Sequence, residues 1–275
     1  MSAVAKKRLD ILLVEAGLAE SREKAQAVIM SGVVSVDGVM RDKPGEKFHA
    51  TAEISIQGAS MPYVSRGGFK LEAALDQFEL IVEGKIALDV GASTGGFTDC
   101  LLQRGATLVY AVDVGYGQMH DRLRNDPRVK LIERQNARYL TRQHVAQQPD
   151  IVTVDVSFIS VKKVLESIRR VCHPRTEYLI LVKPQFEAGR QFVGRGVVRS
   201  SQVHATVLTD MCAWLVEHSM QPENMTFSPI KGPRGNIEFW ILAREHAAEA
   251  CSDAAVRRMI ESVVSDAHLT LDRKR

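Results

Sequence analysis

Cysteine is scarce and scattered. Cys100, Cys172, Cys212 and Cys251 form no CxxC pair, and the eight histidines show no HxxxH or cysteine-spaced grouping, so neither disulfides nor a metal site is expected. Long apolar runs are also missing: the longest, such as 178–182, span a handful of residues where about 20 are needed to cross a bilayer. The first eight residues are polar and basic, with no apolar stretch for a signal peptide, so a cytoplasmic chain is expected. Excess charge of one sign is small, +3 in all, too little to identify a polyanionic partner. What remains is ordinary globular material, 45% apolar and 25% charged over 275 residues, which suits one large domain with a small appendage.

Helical spacing of Leu9, Leu12, Leu13 and Ala16 ends at Gly17, and Ser21 stands as N-cap to a second helix bearing Ala25, Val28 and Ile29 up to Gly32. Val34 and Val36 alternate ahead of Asp37-Gly38, the pattern of a type I′ hairpin turn, and a third strand is expected at 54–56. Residues 58–62 have linker composition, which divides the chain into a small α+β unit over 1–59, a linker over 60–64 and a larger domain over 65–275. In the latter, a helix at 68–78 precedes short apolar strands at 86–90, 108–112, 129–132, 151–154 and 178–182, separated by segments long enough for crossover helices. This is the pattern of a doubly wound α/β domain, which binds ligands beyond the carboxyl ends of its strands. Segments 225–229 and 237–243 are joined too closely for a helix, so an antiparallel terminal pair is expected, followed by a last helix around 256–264.

The run Ala87-Leu-Asp-Val-Gly-Ala-Ser-Thr-Gly-Gly-Phe-Thr98 covers the first strand of that domain and its turn into a helix. Glycines 91, 95 and 96 would let the backbone approach a ligand, with free N–H groups at the helix start. Ser93 stands where the dinucleotide fingerprint has glycine, and Asp113 ends the second strand, where a carboxylate can accept from both hydroxyls of a ribose. Together with Asp89 and the antiparallel pair, this favours an S-adenosylmethionine site over an NAD site. Asp155 and Lys183 end the fourth and fifth strands and should open into the same crevice. A lysine ending a buried strand is costly without a charged neighbour. Lys70, in Ser65-Arg-Gly-Gly-Phe-Lys-Leu, and Glu238, in Gly235-Asn-Ile-Glu-Phe, would complete a set of two cations and two anions able to lower a lysine pKa.

The order Lys70, Asp155, Lys183, Glu238 resembles the Lys-Asp-Lys-Glu tetrad of the heat-shock-type RNA ribose 2′-O-methyltransferases. Arg8-Leu-Asp, Ser21-Arg-Glu-Lys-Ala, Gly32-Val-Val and Val36-Asp-Gly are similar to an S4 RNA-binding domain. The combination resembles the TlyA family, historically called haemolysins, over about 6–244. The resemblance implies a Rossmann-like domain that methylates cytidine 2′-hydroxyls in 16S or 23S rRNA near the subunit interface, with sensitivity to cyclic-peptide antibiotics that bind there. It implies S-adenosylmethionine contacts from Asp89, Gly91, Ala92, Ser93, Gly95, Gly96, Phe97, Asp113, Val114, Asn136, Ala137 and Asp155. Lys183 would be the base, Lys70 would repel its proton and stabilise the alkoxide, Asp155 would orient the ammonium groups, and Glu238 would hold one lysine.

RNA contacts are expected from Lys6, Lys7, Arg8, Arg22 and Lys24, although residues 1–60 carry eight basic and eight acidic side chains, and from Arg66, Lys231 and Arg234 beside the tetrad. Arg190, Arg195 and Arg199 in the loop after Lys183 are further candidates. Ordinary loop charge is an alternative reading of these patches, as solvated helix faces are for the basic runs at 128–142 and 162–175. Asp155 is followed by Val156-Ser157-Phe158, not the proline-rich run of amino-group methyltransferases, and Cys172 reads as a core residue, not a nucleophile. Two other classes stay open: a non-catalytic ribosome-assembly factor, and a haemolysin, which would need a membrane-active segment. A monomer acting on ribosomal RNA or ribosomal subunits is expected.

Overall fold

The computed structural model describes residues 6–56, 62–245 and 251–272; residues 60 and 61 of the expected linker (60–64) and the basic tail (273–275) lie outside them. The first part runs β1 (Lys6–Arg8), α1 (Leu9–Glu15), α2 (Arg22–Met30), β2 (Val34–Val36), β3 (Val39–Arg41), β4 (Lys47–His49) and β5 (Ile54–Ile56). Helical spacing brings Leu9, Leu13, Ala25 and Ile29 onto Val34 and Val36, and these six form its buried core. Ser21 Oγ accepts from the Lys24 N–H at 3.2 Å and starts α2. Asp37 and Gly38, with φ of 51° and 75°, close the β2–β3 hairpin, and β5 pairs with the other edge of β2. The separate β1–β4 ribbon was not anticipated, because Lys6-Lys7-Arg8 has no apolar alternation.

The second part runs α3 (Gly67–Gln77), β6 (Ile86–Val90), α4 (Gly96–Gln103), β7 (Leu108–Val112), α5 (Asp121–Arg124), β8 (Val129–Ile132), β9 (Ile151–Val154), α6 (Lys162–Val171), β10 (Glu177–Val182), α7 (Pro184–Glu187), α8 (Ser201–Glu217), β11 (Met220–Phe227), β12 (Phe239–Glu245) and α9 (Asp253–Leu271). Its sheet has the order β11-β12-β10-β9-β6-β7-β8, with β6 to β10 parallel and β12 antiparallel to both neighbours. Alternation splits the inner strands between two cores. Tyr178, Ile180 and Val182 join α6, α8 and α9 on one face, while Leu179 and Leu181 join α3 and α4 on the other.

Two expectations are corrected. Residues 133–150 form no α-helix, only a 3-10 turn at Ala137–Tyr139, so the β8–β9 connection crosses without a helical layer. The first strand of the terminal pair starts at Met220, five residues before the expected 225. Ser219, at φ 59°, turns the chain straight out of α8, and Pro222 is tolerated because β11 is an edge. No helix among the described residues is long and apolar enough to cross a membrane.

Candidate active site

The carboxyl ends of β6, β7, β9 and β10 open on one side of the sheet, where the strand order reverses about β6. A cleft lies there in two adjoining lobes of about 460 and 160 Å³, which share Met30, Gly91, Ser93 and Asp155. The larger is walled by Asp113, Val114, Asn136, Ala137, Val156 and Phe158, among others; the smaller by Ser65, Arg66, Lys70, Ala92, Gly96, Phe97 and Lys231. Gly91 makes the junction possible. A Cβ there would lie 2.3 Å from the Asp155 carbonyl oxygen, and its φ of 91° suits only glycine. Asp113 spans the following turn: one carboxylate oxygen accepts from the Ser93 N–H at 2.8 Å and the other from the Gly115 N–H at 2.6 Å. Each oxygen keeps a lone pair directed elsewhere.

The four ionisable residues are brought together as two ion pairs. Lys70 Nζ, on the first turn of α3, lies 2.6 Å from Glu238 Oε2 just ahead of β12. Lys183, ending β10, pairs with Asp155, ending β9, and donates to Ser157 Oγ at 2.9 Å. Glu238 is wholly buried and Lys183 nearly so. Lys70 stays an ammonium. Burial opposes its ammonium, but Glu238 and Asp155 outweigh that and hold its pKa above the ordinary lysine value. Gly232 packs against this pair so closely that a Cβ there would lie 2.0 Å from Glu238 Oε1.

Two proposed cofactor contacts do not reach the cleft. Asp89 is wholly buried beneath it, accepting from Thr98 Oγ1 at 2.7 Å and Thr153 Oγ1 at 3.0 Å, and burial pushes its carboxyl up to about 7. Gly95 faces Leu123 and Met119, where a Cβ would come within 2.3 Å of Leu123, so its lack of a side chain serves the packing at the start of α4. Sequence reasoning missed Ser157, Gln118, Gln135 and Met30. Ser157 and Gln135 follow strand ends closely and were findable on that ground. Met30 ends α2 in the other domain, and nothing local marks it.

Of the proposed RNA contacts, most already face a partner. Lys7 pairs with Glu15 at 2.7 Å and Lys24 with Glu20 at 2.8 Å. Arg8 and Arg22 both reach the buried Asp10, at 2.8 and 3.0 Å, and Arg8 leads in holding that carboxyl well below the usual carboxylate range. Lys6 is exposed on β1. Arg66 lies beside Lys70 in the smaller lobe, where its guanidinium fills the space over Gly32 and pairs with Asp42 at 3.3 Å, joining the two domains. Lys231 pairs with Asp272 at 2.9 Å, and Arg234 donates to the Arg195 carbonyl at 2.9 Å. The exposed pairs among these, Lys7–Glu15, Lys24–Glu20 and Lys231–Asp272, are weak and exchange readily for a phosphate. Cys172 is buried at the end of α6, which pushes its thiol up to about 12.

Residues 63–245 match the model of the FtsJ-like methyltransferases, and residues 7–54 that of the S4 domain. The chain is 46% identical to the YqxC protein of Bacillus subtilis over 98% of this chain and 97% of that one. It is 39% identical to the 16S/23S rRNA (cytidine-2′-O)-methyltransferase TlyA of Mycobacterium tuberculosis, over 94% and 97%. Hemolysin A of Brachyspira hyodysenteriae is 42% identical over 84% and 97%. A solved structure from Streptococcus thermophilus superposes with a TM-score of 0.76 at 42% identity, covering 98% of each chain.

Proposed function

The chain belongs to the FtsJ-like methyltransferase family, and from that premise we propose that it methylates the 2′-hydroxyl of cytidine in ribosomal RNA with S-adenosylmethionine as donor. The observation that carries this reading is the meeting of Lys70–Glu238 and Lys183–Asp155 at one end of the sheet, beside a cleft with a free carboxylate edge at Asp113. The larger lobe suits the donor. Asp113 has acceptor capacity left for ribose hydroxyls, Val114, Ala137 and Val156 offer apolar surface to a base, and the Gly91-Ala92-Ser93 turn stands beside them. When bound, S-adenosylmethionine supplies an electrophilic methyl on a cationic sulfur.

The chain's own side chains do the rest. A ribose hydroxyl attacks only as its proton leaves, and Lys183 is our candidate to take it, as the neutral amine left once the ammonium has given a proton to solvent; Asp155 and Ser157 hold the Lys183 side chain. Lys70, kept charged by Glu238, faces the developing alkoxide as a fixed cation. The S4 domain and the cations around Lys231 receive the RNA. Purified protein, unmodified ribosomal subunits and labelled donor, analysed by nucleoside mass spectrometry, should yield 2′-O-methylcytidine. Lys183→Ala should bind the donor normally and lose about 10² to 10⁴ in rate. Near-normal turnover in that variant would displace Lys183 from the role of base.

A further inference from the structure

A third cavity, of about 450 Å³, opens on the far side of Lys231 from the cleft. Its floor is apolar, with Val198 and Ile237, and its rim carries the cations Arg199, Arg234 and Lys231 and the His268 imidazole around one carboxylate, Asp272. The frame is rigidly made. Asn236, 1% exposed, accepts from the Val198 N–H at 3.1 Å and donates to the Gly196 carbonyl at 2.9 Å, tying the loop after α7 to the loop before β12. Arg195 and Arg234 sit at φ of 52° and 62°, left-handed positions that side chains other than glycine adopt at a cost and keep only where the surroundings hold them.

Asp272 holds the place of an anion. One of its oxygens lies 2.9 Å from Lys231 Nζ and the other 3.1 Å from His268 Nδ1, at the half-exposed end of α9. Arg199, exposed on the same rim, has no ion pair among the described residues. A tetrahedral anion with several oxygens would use these donors better than one carboxylate does, since guanidinium groups grip phosphate in a fork. Lys231 also lines the smaller lobe with Lys70, so a strand whose ribose lies by Lys70 passes over Lys231 toward this rim.

We propose that this cavity is a subsite for a backbone phosphate of the RNA strand next to the methylated nucleotide, held by Arg199 and Arg234, with Lys231 exchanging Asp272 for it. The proposal rests on the RNA-methyltransferase reading. The full-length protein is assayed for methyl transfer to unmodified ribosomal subunits and, separately, for filter binding of the same RNA. Arg199→Ala should raise KM and the RNA Kd about five- to tenfold, leave donor affinity unchanged, and flatten the salt slope by about one. Arg175→Ala, an exposed cation just before β10 at the opposite end of that strand, should change none of these. Asp272→Asn should tighten RNA binding severalfold, whereas Glu261→Gln, the same charge change midway along α9, should not.

Equal behaviour of Arg199→Ala and Arg175→Ala, with the wild type active, overturns the subsite and leaves the methyltransferase reading standing. An inactive wild type overturns that reading instead, and filter binding then still scores the cavity. A shift of the His268 imidazole resonances by inorganic phosphate, with RNA affinity unchanged in Arg199→Ala, would mark a free-anion site and also overturn the proposal.

Discussion

Glu238 has no exposed surface and carries the charge that keeps Lys70 an ammonium. Removing one partner of a buried pair leaves the other uncompensated, at a typical cost of about 3 to 5 kcal/mol. Glu238→Gln should therefore lower stability by about that amount in urea unfolding, while Lys70→Met with Glu238→Gln recovers much of it; a double variant no more stable than the single would contradict the pairing. Gly91→Ala puts a methyl group into the Asp155 carbonyl and strains the backbone, so methyl transfer and thermal midpoint should fall together. Asp89 yields the pH dependence. Its folded pKa, about 7, stands above the ordinary 3.8, so the folded chain keeps a proton that the unfolded chain releases, and stability falls as pH rises between those values. The loss is about 1.4 kcal/mol per pH unit at most. Asp89→Asn should abolish that slope, as read from urea midpoints between pH 4 and 8.

Elements matter here by where they end. β9 and β10 are parallel with Ile151 against Glu177, so Lys183 leaves β10 two residues beyond the position opposite Asp155, within reach of both Asp155 and Ser157. β12 runs the other way, which brings Glu238 at its start to the same edge where β10 finishes. A parallel last strand would have placed that carboxylate at the opposite end. α9 closes the far face through Ile260, Val263, Val264, Ala267 and Leu271. Ile260→Ala should cost about 2 to 5 kcal/mol in unfolding free energy with donor affinity unchanged, since no residue of α9 lines the donor lobe. Altered donor affinity would tie α9 to the cleft through the sheet.

For the molecule as a whole, the two domains meet at the cleft: Met30 lines both lobes, the Ser31 carbonyl accepts from the Arg66 N–H at 3.2 Å, and Arg66 caps Gly32. Net charge of +3 gives little general attraction, so RNA affinity must come from local cations. The logarithm of Kd should rise with the logarithm of salt by about 0.7 to 0.9 for each phosphate contacted. A flat dependence would deny the cations at β1, α2 and Lys231 any part in binding. Much of this was readable in one dimension. Apolar alternation and turn chemistry determined strands β6 to β10, the Asp37-Gly38 hairpin and the antiparallel sense of the terminal pair, and the order of Lys70, Asp155, Lys183 and Glu238 marked the candidate site, because strand ends and turns are written locally. Only the tertiary structure decided that Asp89 and Gly95 face protein, that Lys70 is held charged, that Arg66 seals a joint, and that Met30 and Asp272 stand at cavities. Each of these depends on which distant side chain arrives beside it, and burial, pairing and pKa are properties of that meeting, not of the residue alone.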